Sequence, residues 1–265
     1  MPILSHGSDM ALAPTIRQIV EVVGTVNTAL SRLTVAGFDA IQLDATLSGI
    51  RPRELGQRAR KDLLALMARR GIRPGGIDLL IPRRHYLESE HQDRAMQVTL
   101  AAVELAADLG RLSLSIALPV AEMGADLKSC LVEAADGRNV RLAVHAEDQL
   151  EALEAWIAEV DLPVVGAGVD PAALMALSQD PPSVVYRTAR RLVVGRLSDL
   201  SDASAAPSAR CAPGNGDLDL STYRVAVDLA PNRVGPVVLD LRSVSNPIAA
   251  AVAAKSVWEN AAVGL

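Results

Sequence analysis

Residues 140–169 have the sequence VRLAVHAEDQLEALEAWIAEVDLPVVGAGV, and the pattern of this stretch changes twice. The run Val140–His145 is apolar and rich in branched side chains, which is typical of a buried strand, and Val164–Val169 has the same character. Between them, Glu147–Ile157 mixes charged and apolar residues as an amphipathic helix does. A strand, a helix and a second strand in succession indicate a parallel sheet covered by helices.

The same alternation recurs from about residue 40 to the end of the chain. The predicted strands are Ala40–Asp44, Ile77–Ile81, Leu112–Leu118, Val140–His145, Val164–Val169, Leu192–Arg196 and Pro236–Asp240. The predicted helices are Arg53–Arg70, His91–Leu109, Leu127–Ala135, Glu147–Ile157, Pro171–Leu177, Leu218–Leu229 and Pro247–Ala262. The chain has 265 residues, and a (β/α)8 barrel typically has about 250. The pattern therefore predicts an α/β fold, a single TIM barrel domain over residues 1–265.

An eighth strand has to precede residue 40, and two positions are open. Met10–Ala13 is a strand if the first helix begins near Ile16, and this is favoured because apolar residues then repeat at helical spacing. Gln18–Val23 is the strand if the first helix begins at Thr25. An open doubly wound sheet is the alternative fold, but it is expected to carry a glycine-rich phosphate motif after an early strand, and the sequence has none.

Composition excludes several classes of function. Half of the residues are hydrophobic but only 2% are aromatic, so Ala, Val, Leu and Ile have to build the core. The net charge of −5 argues against nucleic-acid binding, which usually needs a basic face. No apolar stretch is long enough to predict a membrane span. The first residues lack the pattern of a secretory signal, and two isolated cysteines, Cys130 and Cys211, indicate a reducing cytoplasm.

Polar residues end most of the predicted strands. TIM barrels place their active sites at the carboxyl ends of the strands, so these residues are the candidates for a site. They are Asp44, His145, Asp170, Arg196 with Asp199, and Asp240. His85 follows the third strand and is a further candidate for the same face. The loop-like segment 201–217, rich in Ser, Ala, Pro and Gly, also falls on this face.

Several segments, in their order along the chain, resemble the xylose-isomerase-like TIM barrels, a superfamily of sugar phosphate isomerases and epimerases. The segments are AGFDAIQLD (36–44), the helical stretch from Asp93 to Gly110, Val140–His145, Val169-Asp170, RLSD (196–199), PGNGDLD (213–219) and VVLDL (237–241). The match runs from about residue 37 to residue 241. The resemblance implies the same barrel and an isomerase or epimerase activity.

The resemblance also implies a metal site, but this sequence departs from it. The metal-dependent members usually supply Glu, Asp, His and Glu at the positions that are His145, Asp170, Arg196 and Asp240 here, so only the aspartate is unchanged. Ala173 stands where a histidine is usual, and Gln42 stands where a glutamate is usual.

Two hypotheses follow for the centre of the site. In the first, His145, Asp170 and Asp240 bind a divalent ion such as Mn, Mg, Zn or Co in a rearranged site. In the second, no metal is bound and Arg196 takes the place of the cation, pairing with Asp170 and Asp240. The second is favoured because a permanently charged guanidinium among the ligands would repel a dication.

The predicted function is proton transfer next to the carbonyl of a small polyhydroxylated substrate, as in a sugar isomerase or epimerase. The predicted catalytic residues are His145, Asp240 and Arg196, and the predicted substrate-binding residues are His85, Arg196, Asp199 and Asp44. The alternative is a non-catalytic ligand-binding or scaffold protein of the same fold. Asp170 precedes a proline and is also expected to cap the following helix, which does not exclude a ligand role. The expected partner is a carbohydrate-like small molecule, and the apolar segment Ala249–Ala262 would permit a homodimer.

Overall fold

Eight parallel strands form the barrel in the computed structural model, which describes residues 10–201 and 210–261. The strands are β1 (Leu12–Pro14), β2 (Ala40–Asp44), β3 (Arg73–Leu79), β4 (Leu114–Ala117), β5 (Leu142–His145), β6 (Val165–Val169), β7 (Leu192–Leu197) and β8 (Val237–Leu239). Their order around the barrel is β1-β8-β7-β6-β5-β4-β3-β2. A single parallel bridge between Thr15 and Gln42 brings β1 and β2 together, so the barrel is nearly closed. The predicted TIM barrel is confirmed.

Helices connect the strands and cover the outside of the barrel. In the described residues they are α1 (Ile16–Val23), α2 (Val26–Val35), α3 (Gln57–Arg69), α4 (Gln92–Asp108), α5 (Ala125–Arg138), α6 (Leu150–Val160), α7 (Pro171–Ala176), α8 (Pro181–Thr188), α9 (Leu220–Asp228) and α10 (Pro247–Asn260). Short 3-10 turns precede α3, α4, α6 and β7. No helix in the described part of the chain is both long enough and apolar enough to cross a bilayer.

The first strand lies close to the favoured prediction. β1 covers Leu12–Pro14 and α1 begins at Ile16, whereas the alternative strand Gln18–Val23 is wrong because those residues are helical. The helical repeat is interrupted at Gly24, whose φ of 88° only glycine adopts easily. The side chain of Thr25 then caps a separate helix, α2, by accepting from the backbone N–H of Thr28.

Two further segments differ from their predicted bounds. β3 begins at Arg73, earlier than the predicted Ile77, because the main chain of 73–76 continues the ladder with β2. The predicted helix Pro171–Leu177 is followed by a second helix, α8, which starts with Pro181 after a capping aspartate, Asp180. Within the predicted loop 201–217, residues 202–209 lie outside the described residues, and Arg210–Cys211 pairs antiparallel with Asp199–Leu200.

Small residues inside the barrel leave room for larger neighbours. A Cβ atom placed on Gly166 would lie 2.2 Å from the backbone oxygen of Arg191, and one on Gly168 would lie 2.4 Å from the ring of His145. Arg196 is among the largest side chains with less than 2% exposure, which is exceptional for a charged residue. The interior is therefore a packed aliphatic core with an ionised group at its centre.

We expect Gly166→Ala to lower the free energy of unfolding by about 1–3 kcal/mol, because backbone atoms have to move away from the new methyl group. Gly137→Ala is the matched control, since Gly137 lies exposed in α5 with open space around it, and alanine there should stabilise the helix by up to about 1 kcal/mol. Urea unfolding of both variants checks this. Equal effects of the two substitutions would contradict the packing of β6 against β7.

Candidate functional site at the barrel mouth

Arg196, at the end of β7, forms the centre of the site. Only 1% of the residue is exposed. Its two terminal nitrogens donate to the two carboxylate oxygens of Asp78 on β3, over 2.9 and 2.8 Å, and its Nε donates to Asp240 over 3.2 Å. Burial alone would lower the pKa of Arg196, but the charges of Asp78 and Asp240 hold it well above its ordinary value. The guanidinium is therefore a fixed cation that ties β7 to β3 and to the residue after β8.

Asp78 is a site residue that the strand-end search missed. It lies inside β3 between Ile77 and Leu79, and the amide of Gln42 also donates to it over 2.8 Å. A charged residue within an otherwise apolar strand is the signal that could have found it, because a buried carboxylate requires a partner. The predicted pairing of Arg196 is thus correct for Asp240, but Asp78 takes the place expected of Asp170.

Asp170, which follows β6, is surrounded by donors. It accepts from Ser198 over 2.6 Å, from Arg242 over 2.7 Å and, through both oxygens, from Arg210 over 2.7 and 3.2 Å. It also caps α7 by accepting from the backbone N–H of Ala173, as the helix-cap hypothesis expects. Burial alone would raise the pKa of Asp170, but Arg210 and Arg242 hold it far below its ordinary range.

Asp240, directly after β8, is equally saturated. It accepts from Arg196 and from the side chain and backbone N–H of Arg242, and Arg210 lies 3.6 Å away. Burial would raise its pKa, but Arg196 and Arg242 keep it well below its ordinary range. An ionised carboxylate with so low a pKa is a weak base. The structure therefore gives no support to Asp240 as the general base.

A divalent ion does not fit this arrangement. Three guanidinium groups face three carboxylates, so their charges cancel. The six residues are Arg196, Arg210, Arg242, Asp78, Asp170 and Asp240. Of the three predicted metal ligands, Asp170 and Asp240 have oxygens that are already occupied by arginine donors, and His145 pairs with Glu147 instead. A dication at this point would meet three fixed positive charges at short range.

His145 lies apart from this arginine–aspartate network, in a second buried group. Its Nδ1 lies 3.1 Å from Glu147, and the same Glu147 oxygen accepts from the backbone N–H of Asp170 over 3.1 Å. Arg83 donates to the backbone oxygen of His145 over 2.9 Å. The Nε2 of His145 is buried and has no hydrogen-bond partner among the residues that the structure describes. Glu147 is the second site residue that sequence reasoning missed, because the sequence indicates only that it begins a predicted helix.

A polar cavity of about 440 Å³ opens beside the network. Its lining residues are Thr15, Arg17, Gln18, Asp44, Thr46, Asp78, Leu80 and Arg242. Asp44 is held there by Arg17 and by the hydroxyl and backbone N–H of Thr46. The hydrogen bond to Asp44 raises the pKa of Arg17, so this guanidinium stays charged. The cavity thus brings together Asp44, a predicted site residue, and Arg242, which sequence reasoning missed.

Two other predicted substrate-binding residues point elsewhere. Asp199 is buried and accepts from four backbone N–H groups, those of Leu200, Gly214, Gly216 and Leu218, at 2.9–3.0 Å. Its carboxylate thereby holds the loop after residue 212 in place. His85 lies in a 3-10 turn and its ring faces that of His91, with the ring centres 4.7 Å apart. Neither residue lines the cavity.

Comparison with known proteins is informative only at the level of structure. No family model matches the sequence, and no curated protein is detectably related to it. Among solved structures, the xylose isomerase domain protein of Planctomyces limnophilus superposes with a TM-score of 0.76 at 13% identity, covering 96% of both chains. A xylose isomerase-like TIM barrel protein of Mycobacterium smegmatis in complex with magnesium gives 0.71 at 14% identity, covering 95% of this chain and 96% of that one. D-Psicose 3-epimerase of Clostridium cellulolyticum H10 gives 0.70 at 11% identity, covering 95% and 99%.

These similarities define the class of the protein as a TIM barrel. Within that class, the chain has the xylose isomerase-like fold, as its sequence motifs predict.

We expect Arg196→Met to lower the free energy of unfolding by about 3–5 kcal/mol, because Asp78 and Asp240 would remain buried without their cation. Arg187→Gln is the control, since Arg187 forms an exposed pair with Glu154 and such pairs contribute less than about 1 kcal/mol. Urea unfolding at neutral pH measures both. If the Arg196→Met variant is as stable as the control variant, the buried ion pairs contribute little to the free energy of unfolding.

The low pKa values of Asp170 and Asp240 also predict acid sensitivity. The pKa values of these two aspartates are lower in the folded protein than in the unfolded chain, where the pKa of aspartate is about 3.9. Their ionised forms therefore stabilise the fold fully at pH values above the unfolded-state pKa, and this stability is lost as the pH falls towards the folded-state pKa. We therefore expect the free energy of unfolding to fall steeply below about pH 4. Asp170→Asn should reduce this slope, whereas Asp62→Asn, at an exposed pair, should not. Identical slopes in all three proteins would contradict the assignment.

Proposed function

We propose that this protein is a metal-independent member of its fold that binds a small, anionic, polyhydroxylated compound at the barrel mouth. The observation that carries the proposal is the buried Arg196, paired with Asp78 and Asp240. It supplies a permanent cation in the centre of the barrel, where a divalent ion would otherwise supply the charge. The network neutralises its own carboxylates and leaves the neighbouring cavity free for a ligand.

The lining of the cavity offers hydrogen-bond donors to a ligand that carries hydroxyl groups and an anionic group, and its two arginines are accompanied by two aspartates, Asp44 and Asp78. Arg17 and Arg242 offer guanidinium donors, of which Arg242 is 36% exposed at its side chain. Thr15, Gln18 and Thr46 add hydroxyl and amide groups. A volume of about 440 Å³ is within the usual range of small-molecule sites. Arginine suits carboxylate and phosphate oxygens because its fork can bind two of them at once.

A second cavity has one lining residue in common with the first. It has a volume of about 540 Å³, shares Thr46 with the first cavity, and presents Arg51, Arg53 and Arg94. A phosphate group on the ligand would find positive charge there. Among the structural neighbours, the D-psicose 3-epimerase was solved with D-tagatose, a ketose, which supports the polyhydroxylated part of the proposal.

We expect phosphorylated ketoses and sugar carboxylates to raise the melting temperature more than D-tagatose itself does. Arg17→Gln should weaken this binding on the order of tenfold or more, the cost of losing a charge-assisted hydrogen bond. Arg58→Gln, at an exposed position on α3, is the control and should leave the binding unchanged. A chelator should have no effect on the affinity. A panel without any stabilising compound, or binding that Arg17→Gln leaves intact, would rule out this site.

One observation favours catalysis as a second candidate function. His145 has a hydrogen-bonded Nδ1 and a buried Nε2 without a partner in the described residues, which is how a general base is held. The reaction would be removal of the proton next to a carbonyl by Nε2 of His145, in a substrate that reaches this ring outside the cavity that Arg17 and Arg242 line. Return of the proton to the neighbouring carbon would give an isomer, whereas an epimer requires a second group to deliver a proton to the opposite face.

Proton transfer can be tested separately from binding. We expect a bound ketose in deuterium oxide to exchange the hydrogen next to its carbonyl, and His145→Gln to abolish this exchange while the ligand still binds. Nuclear magnetic resonance of the sugar follows the exchange directly. Binding without any exchange in the wild-type protein would leave the binding function standing and remove the catalytic one.

A further inference from the structure

Two histidines and a glutamate come together outside the barrel mouth. In the turn between β3 and α4, ligand atoms of His85, Glu88 and His91 all lie within 4.8 Å of one another. They belong to the segment HYLESEH (85–91), where they are spaced three residues apart. None of them contacts the network around Arg196, so this cluster is independent of the proposed function.

We propose that His85, Glu88 and His91 form a binding site for Zn²⁺ or a similar transition-metal ion. Two imidazoles and one carboxylate are a known ligand set for zinc, which takes a fourth ligand from water or from the protein. The donors match the preference of such ions for nitrogen and harder oxygen ligands, whereas Mg²⁺ and Ca²⁺ prefer oxygen alone. The cluster is half-buried, so an ion has access from solvent.

The main chain holds the three ligands in one place. His85 lies in the 3-10 turn Arg83–Tyr86, and the side chain of Tyr86 is fully buried with its hydroxyl bonded to Thr99. His91 is the N-cap residue of α4, and its backbone N–H donates to the backbone oxygen of Glu88 over 2.9 Å. An ion at this point would join the turn after β3 to the first residue of α4.

Local charges already favour a cation here. Nε2 of His91 lies 3.8 Å from one oxygen of Glu88 and 3.1 Å from one of Glu90, so two carboxylates lie beside this imidazole. The other oxygen of Glu88 lies 3.7 Å from Arg84. Because Arg84 and a metal ion would compete for the same carboxylate, removal of the arginine should strengthen metal binding or leave it unchanged.

The experiment uses the full chain without a histidine tag and measures Zn²⁺ binding by calorimetry, with Co²⁺ absorption as a report on the ligands. We expect one ion per chain. His85→Gln and His91→Gln should each weaken the binding at least about tenfold, since loss of even an outer hydrogen-bond partner of a metal ligand costs that much. Arg84→Gln should bind at least as tightly as the wild type.

Three results would overturn the site. The first is no Zn²⁺ binding in the wild type at micromolar to millimolar ion. The second is binding that survives both His85→Gln and His91→Gln, which would place the ion elsewhere. The third is binding lost in the matched control His6→Gln, at a histidine in the amino-terminal segment outside the described residues. Circular dichroism of each variant shows whether it is folded, and Co²⁺ absorption tests the second result, since a spectrum unchanged in both His85→Gln and His91→Gln places the ion elsewhere.

Discussion

The buried guanidinium of Arg196 is the constraint on which the interior of this barrel depends. A cation with 1% exposure is tolerable only if carboxylates compensate it, and here Asp78 and Asp240 do so from two other strands. Each of those carboxylates would in turn be costly without its arginine. The three groups therefore have to be present together, and they fix the relative positions of β3, β7 and β8.

The rest of the mouth is arranged around the same balance of charge. Asp240 also needs Arg242, and Arg242 and Arg210 together compensate Asp170. Gln42 donates to Asp78, where a glutamate would add a further negative charge to the group. A neutral amide at this position therefore suits a group whose charges already cancel.

The enclosure of Arg196 limits what this group can offer to a substrate. A metal ion offers open coordination positions to a substrate, whereas Arg196 is enclosed and directs its nitrogens to protein carboxylates. The groups left for a ligand are at the edge, where Arg17 and Arg242 line the cavity. His145 keeps a partly unused imidazole but depends on Glu147 for its orientation. The cavity and the histidine accordingly occupy separate parts of the mouth.

The sequence by itself determined the barrel, because apolar runs and helical repeats are local patterns that each segment carries independently. It also identified Asp170 and Asp240 as residues of the mouth, since strand ends meet at one face of a TIM barrel. Only the tertiary structure decided the partners: Arg196 and Asp78 are 118 positions apart, and nothing in the spacing of residues encodes that contact. The direction of a side chain at a loop is equally non-local, which is why His85 faces His91 instead of the cavity. Closure of the barrel brings distant residues such as Arg196 and Asp78 together. They pair because a buried charge is stable only beside an opposite charge.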